Sequence, residues 1–326
     1  MDAIDRVAGR LMARPASPTA DLYFVNACGR WLRPGGPVER LGPGVFASDA
    51  ALLVVRHWGR ARALPQRERL IWLIDDDVAA AIADTGLPQG NRLKLRLLEA
   101  RHGARLRAAG ARVVASSAAL AERIGADDVL HPVWDGPLAG SCHHRTDGPL
   151  RIGYLGSTAH AGDLAWIAPA LRAVLDAEPR AELHLAANHR SGPLAGHPRL
   201  RPIAATDWTG YRRWLRGARL HLAVYPMLET PVNRARSVSK IVEHAMAGAA
   251  ALYPDHWPET ARVVRRGAGA ALPMDRDAWR DAALALLRDA DRRRALAEGG
   301  RALAADLAHP GRQVAFWRHA LAISGR

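Results

Sequence analysis

Cysteine is nearly absent from this chain of 326 residues. Only Cys28 and Cys142 occur, which excludes a disulfide-stapled fold and suits a reducing compartment. No apolar run approaches the ~18 residues that a spanning helix requires, so an integral membrane protein is not expected. The stretch Met1–Ala20 carries Asp2, Asp5 and Arg6 where a signal peptide would need its apolar core, so a cytoplasmic location is expected. Lysine is almost missing too. It stands only at 94 and 240, so nearly all of the 46 basic residues are arginine. Neither a Walker A loop nor a G-x-G-x-x-G fingerprint is found, which disfavours P-loop and dinucleotide-binding readings. Internal repeats and low-complexity tracts are lacking as well.

What is present is an ordinary globular composition with a strong basic excess, a formal net charge of +14. Such a charge suits polyanionic or phosphorylated partners. The charge is dispersed, without a basic tail or aromatic-interleaved stripe, and the Arg and Ala abundance matches GC-rich coding. No nucleic-acid partner is therefore expected.

Short apolar runs alternate with amphipathic stretches, which predicts an α/β fold. Leu22–Asn26, Ala51–Val55, Leu70–Ile74, Arg112–Ala115 and Asp128–Leu130 read as strands. Asn91–Ala109 reads as a helix, and Ser117 as the cap of the helix Ala118–Ile124. His131 to Pro149 holds three prolines and three glycines with little periodicity, and reads as a linker region. A second unit follows, with strands Leu150–Leu155, Glu182–Ala187, Leu220–Tyr225 and Ala249–Tyr253. Its helices are Asp163–Asp176, Trp208–Arg216 and Ser239–Ala247, and a helical end runs from Asp277 to Ile323 with a break at His309-Pro310-Gly311. The expected domains are 1–140 and 150–326, joined by 141–149. The last helix, around Gln313–Leu321, is expected to pack back on the first domain.

Two stretches carry candidate chemistry. In Arg151-Ile-Gly-Tyr-Leu-Gly-Ser-Thr158 a strand runs into Gly156, Ser157 and Thr158, whose amides and hydroxyls suit a phosphate. In the stretch from Tyr225 to Gly248, Arg234, Arg236 and Lys240 cluster at the start of a helix. Cations there oppose the helix dipole, so an anion between them would relieve the repulsion. Glu243 lies one turn after Lys240 on the same face, where a carboxylate could take ribose hydroxyls or simply pair with the lysine. Asp75, Asp76 and Asp77 after a strand could bind a hard cation, cap a helix or face a ligand. Cys142-His143-His144 lacks a fourth ligand at plausible spacing, so no metal site is expected there.

Taken in order, these motifs resemble the donor domain of GT-B glycosyltransferases, close to glycosyltransferase family 4 of bacterial surface-polysaccharide synthesis. Gly153 to Asp163 resembles the first donor strand and its loop, with His160. Pro226, Asn233-Arg-Ala-Arg-Ser237 and Lys240-x-x-Glu243-x-x-x-x-Gly248 resemble the nucleotide-binding stretch. Trp279, Leu284, Leu286, Leu287, Asp289 and Arg292–Arg294 resemble the family's ending. The likeness covers roughly residues 150–320. Ala235 stands where the family has the first glutamate of its pair, and the usual Lys/Arg pair after the first donor strand is absent.

The resemblance implies two Rossmann-like domains facing a cleft and transfer of a sugar from a nucleotide-diphosphate sugar, a co-substrate needing no further cofactor or metal. It implies catalytic roles for Lys240, Arg236 and His160. Donor binding would fall to Gly156, Ser157, Thr158, Asn233, Arg234, Ser237 and Glu243, with Asp75, Asp76 and Asp77 on the acceptor side. The acceptor would be a glycan, a lipid-linked glycan or a small molecule, and a lipid-linked acceptor would bring the protein to the inner membrane surface. Two alternatives remain: a nucleotide-sugar epimerase of the same fold, and a non-catalytic sugar-nucleotide-binding protein.

Overall fold

The computed structural model describes residues 18–57, 65–156, 160–186, 192–203 and 207–323. The chain divides into two compact units. The first comprises Met1–Asp135, Ala235–Ser237 and Ala308–Arg326, and the second Gly136–Arg234 and Val238–Leu307. Each has its own six-stranded sheet.

In the first unit the strands follow chain order: β1 (Glu39–Gly42), β2 (Val45–Ala47), β3 (Ala51–Val55), β4 (Arg69–Ile74), β5 (Arg112–Ala115) and β6 (Asp128–Val129). β1 and β2 form an antiparallel hairpin, β2 pairs antiparallel with β3, and β3 to β6 are parallel. β3 is buried at all five positions, as expected for a continuous Ala-Leu-Leu-Val-Val run inside a covered sheet. The hairpin escaped the sequence reading because its strands are short and β1 is largely exposed, with Gly44 at φ +73° making the turn.

Leu22–Asn26 is helical, not a strand. It lies in a run of short helical segments, Pro18–Ala20, Asp21–Val25 and Asn26–Cys28. Leu22, Tyr23 and Phe24 are all buried, and Phe24 lies 4.6 Å from Phe46 and 5.7 Å from Trp317, ring centre to ring centre. A short run that is apolar all round has no period by which helix and strand can be told apart. The helix Pro310–Ala320 belongs to this unit. Its Gln313 amide donates to Leu22 O and His131 O, both at 2.9 Å, and Trp317 Nε1 donates to Tyr23 O at 2.7 Å.

In the second unit all six strands are parallel: β7 (Leu150–Tyr154), β8 (Ala181–Ala186), β9 (Leu200–Ile203), β10 (Leu222–Val224), β11 (Ala250–Pro254) and β12 (Ala270–Leu272). The spatial order is β9-β8-β7-β10-β11-β12, the doubly wound arrangement of a Rossmann sheet. Its core joins Ile152, Leu183, Val224 and Leu252 from the strands to Ile167, Leu171 and Val174 from the helix Ala161–Ala177, and to Trp279 and Leu286 from the helix Arg276–Arg288. Helix starts are fixed by short acceptor side chains. Asp207 accepts from Gly210 N at 2.7 Å, and Asp275 from Ala278 N at 2.8 Å, each satisfying an otherwise orphan donor.

Candidate functional site

In a doubly wound sheet the strand order reverses at one point. The loops leaving the carboxyl ends of the two strands there diverge to opposite faces and open a crevice. Here that point lies between β7 and β10. The loop after β7 supplies Leu155, Gly156 and His160, and the loop after β10 supplies Tyr225 to Thr230. Ser157 and Thr158 lie outside the described residues.

Lys240 sits in the first turn of the helix Ser239–Met246, whose start has no side-chain cap. Its Nζ donates to Leu155 O at 2.5 Å, at the carboxyl end of β7, and pairs with Glu243 one turn on. Glu243 is buried, only 3% exposed, and its Oε1 also accepts the hydroxyl of Tyr211. Burial together with the adjacent Glu243 carboxylate holds the Tyr211 phenol well above its ordinary range. The pair is therefore not a solvated helix face. A lysine ammonium is held against a strand-end carbonyl by a carboxylate that is itself buried and twice bonded.

Across the same edge, Asp163 is a buried junction. Its Oδ2 lies 2.9 Å from His160 Nδ1, and its Oδ1 accepts from Leu228 N at 2.9 Å and Asn233 Nδ2 at 3.2 Å. Asn233 Nδ2 also donates to Leu228 O at 2.9 Å, and Tyr154 OH to His160 O at 2.8 Å. One carboxylate thus ties the loop after β7 to the loop after β10. Gly156 lies under Tyr154, where a Cβ would come within 2.6 Å of the ring. Behind these loops stands an aromatic wall. Tyr225 lies 5.9 Å from Trp257, 6.1 Å from His244 and 6.3 Å from His160. Burial, then the nearby Lys240, lowers His244 to about 3, so its imidazole is neutral.

The three cations expected at the helix start are each paired with an acid. Arg234 is exposed and pairs with Glu229. Arg236 and Ser237 belong to the first unit, where Arg236 Nη1 donates to Asp76 at 2.7 Å. Each cation is paired with a carboxylate, Asp76 being shared between Arg236 and Arg56, so the repulsion argued from sequence is already relieved inside the protein. Glu229 and Glu243 are local partners of Arg234 and Lys240, but Asp76 lies 160 residues from Arg236, a pairing that spacing alone could not reveal.

In the first unit Asp75 and Asp76 follow β4 and share one guanidinium. Arg56 Nη1 donates to both at 2.9 Å, while its Nε and Nη2 hold Glu99. Arg56 has φ +63°, a left-handed conformation uncommon for a side chain this large. Thr19 donates to Asp75 at 2.7 Å. Burial outweighs the pull of Arg56, and with Asp76 close by, the Asp75 carboxyl is pushed up to about 6. Asp77 plays a different part. It caps the helix Val78–Ala83 by accepting from Ala80 N at 2.9 Å, and it pairs with Arg123. Among the described residues, no group of three or more His, Cys, Asp or Glu side chains is placed to hold a metal ion. His143 and His144 spend their Nε2 atoms on Leu220 O and Gly248 O, both at 2.8 Å.

Sequence reasoning reached Asp163 only through the resemblance of Gly153 to Asp163 to a donor strand and loop, although the His160-x-x-Asp163 spacing at a helix start is itself a signal; Tyr211, Arg56 and Glu99 it missed. The partners of these three are 19 to 43 residues away, and no local pattern announces them.

No protein-family profile matches the chain, and comparison with curated proteins finds no match by sequence. Solved structures do match in fold. TarM aligns with a TM-score of 0.54 at 9% identity, over 78% of this chain and 51% of that one. WaaG, described as a glycosyltransferase involved in lipopolysaccharide biosynthesis, aligns with a TM-score of 0.52 at 12% identity, over 84% of this chain and 78% of that one. Anabaena HepE in complex with UDP and glucose aligns with a TM-score of 0.51 at 14% identity, over 78% and 71%. The chain thus spans about half the length of TarM. At such identities the likeness is one of fold: α/β, with two Rossmann-like domains of the GT-B type.

Proposed function

We propose that the protein is a glycosyltransferase that takes a sugar from a nucleotide-diphosphate donor and passes it to a carbohydrate or lipid-linked acceptor. The observation that carries this reading is Lys240 fixed at the switch point of a doubly wound sheet, on the Leu155 carbonyl that directly follows β7. In that crevice an anionic ligand meets a cation and uncapped helix amides together. HepE, which shares the fold, was solved with UDP and glucose, and this supports the same class of donor here.

In the proposed mechanism Lys240 contacts the diphosphate and stabilises the charge that grows on it as the sugar leaves. Glu243 takes ribose hydroxyls, exchanging the Tyr211 hydroxyl for them. Asp163 orients His160 toward the sugar–phosphate region and, with Asn233, fixes the loop after β10. Gly156, Ser157 and Thr158 offer amides and hydroxyls to the phosphates. Arg236, Arg234 and Ser237 are retained as charge- and hydroxyl-bearing candidates for the donor, and Asp75 and Asp76 for the acceptor. Asp77, as a helix cap, serves by positioning. The reading requires neither a metal nor a further cofactor. It includes membership of glycosyltransferase family 4, a cytoplasmic location and, for a lipid-linked acceptor, work at the inner membrane surface. Among the described residues, no helix is long and apolar enough to cross a membrane.

The test is a titration with UDP followed by a transfer assay with UDP-sugars. Binding to the native state alone raises the melting temperature, by an amount equivalent to about 2.7 kcal/mol at one hundred times Kd. Sugar release that depends on an acceptor supports transfer. Isomerised donor without acceptor would favour an epimerase, and binding without turnover a sugar-nucleotide-binding protein.

A further inference from the structure

Tyr211 belongs to the helix Trp208–Gly217, which connects β9 to β10 in the chain. Its neighbours one turn before and after are both tryptophans, so three rings share one helix face. Trp208 lies 6.1 Å from Tyr211, ring centre to ring centre, with the planes inclined by 25°, and Trp214 lies 5.9 Å away at 26°. A ring stacked on two indoles has few directions left for its hydroxyl. That hydroxyl donates to Oε1 of Glu243, while Lys240 pairs with Oε2. The phenol is held well above its ordinary range, so it keeps its proton and stays a donor.

A buried carboxylate is stable only when its oxygens are paired. Here the chain itself supplies a partner for each oxygen. A ribose hydroxyl that reaches Glu243 therefore competes with an internal donor of its own kind, a neutral O–H. We infer, on the reading of this crevice as a donor site, that Tyr211 is a latch on Glu243: its hydroxyl holds the place of a ribose hydroxyl, lowers the affinity for nucleotide and speeds its release. Exchanging one O–H bond to a carboxylate for another gains little. The drive comes from the diphosphate on Lys240, so a nucleoside diphosphate opens the latch and an anion without hydroxyls leaves it shut. Tyr211 is half-buried, so its displaced hydroxyl reaches water. Stacking on Trp208 and Trp214 then returns it to Glu243 as the nucleotide departs, a step that limits turnover in many enzymes.

The test is calorimetric titration of wild type and Tyr211→Phe with UDP and with pyrophosphate. Phenylalanine keeps the ring and its stacking and removes only the hydroxyl. UDP should bind Tyr211→Phe at least about tenfold tighter, because the variant has no internal hydrogen bond to give up, with most of the gain in slower dissociation. Pyrophosphate, which carries no hydroxyl for Glu243, should bind the two proteins alike. A hydroxyl that only supports the fold predicts the opposite sign, weaker UDP binding. Equal or weaker UDP binding by a variant with wild-type near-UV circular dichroism overturns the latch. So does tightening that extends to pyrophosphate, because the effect would then run through Lys240. Wild type gives an independent readout. The chain has five tyrosines, few enough for tyrosine-labelled NMR, and the Tyr211 signal should move with UDP and stay in place with pyrophosphate. A Tyr211 signal that UDP leaves unmoved overturns the latch whether or not the variant folds. If UDP binds neither protein, the donor reading itself fails, and the latch with it.

Discussion

Replacing Lys240 by methionine separates what the Lys240–Glu243 pair does for the fold from what it does for a ligand. Methionine keeps the length and apolar stem of lysine but removes the charge. Glu243 is 3% exposed, and it would retain only the Tyr211 hydroxyl. Stranding one member of a buried ion pair typically costs 3–5 kcal/mol. Lys240 keeps 19% of its side chain exposed, so we expect the lower end, about 3 kcal/mol. Adding Glu243→Gln removes the stranded charge while keeping an acceptor for Tyr211. The double variant should regain most of that loss, a positive coupling in a double-mutant cycle. UDP affinity should behave differently. A charge-assisted contact to phosphate is worth about 1.5–3 kcal/mol, so binding should weaken at least about tenfold in Lys240→Met and stay weak in the double variant. Urea denaturation with and without UDP, together with calorimetric titration, gives both quantities from one preparation. If the refolded double variant bound UDP like wild type, the switch-point assignment would be refuted. A loss below about 1 kcal/mol in Lys240→Met would instead mark the pair as solvent-screened.

Three further outcomes are expected. His144, His221 and His244 are buried, and burial lowers them to about 4, 3 and 3. Their folded values lie below the unfolded one near 6.5, so the stability they contribute is complete above that pH and is lost as pH falls toward 4. Each can cost up to about 1.4 kcal/mol per pH unit in that window; acid titration of the second unit, followed by near-UV circular dichroism, should show cooperative uptake of more than one proton below pH 6.5. Asp77→Ala removes both the cap of Val78–Ala83 and the partner of Arg123, and should lower stability by about 1–2 kcal/mol in chemical denaturation while leaving UDP affinity unchanged. UDP binding should persist in excess chelator, since Lys240 and main-chain amides take the place of a cation; calorimetry in which chelation abolishes binding and magnesium restores it would point to a metal-bound diphosphate instead.

Much of the framework was legible in the residues. Ala51–Val55 and Arg112–Ala115 lie where the apolar runs placed them. The helix Ala118–Ile124 starts at its Ser117 cap, whose hydroxyl accepts from Leu120 N at 3.0 Å. These features depend on neighbours a few residues apart, and propensity, capping and burial period all act at that range. The α/β class and the two-sheet organisation follow from them. What sequence could not decide was which charges meet. Lys240-x-x-Glu243 reads the same whether it is a screened surface pair or a buried one. Only the packing of the helix Ser239–Met246 beside the end of β7, with Tyr211 brought from 32 residues away, makes it the second. Likewise Asp75-Asp76-Asp77 reads as one acidic run, yet the fold divides it. Asp75 and Asp76 close on Arg56, and Asp77 turns to cap a helix. Local pattern determines the elements because their energetics are local. The charge partners belong to tertiary structure, because Coulomb and hydrogen-bond energies depend on distance and burial in space, and chain separation does not encode these.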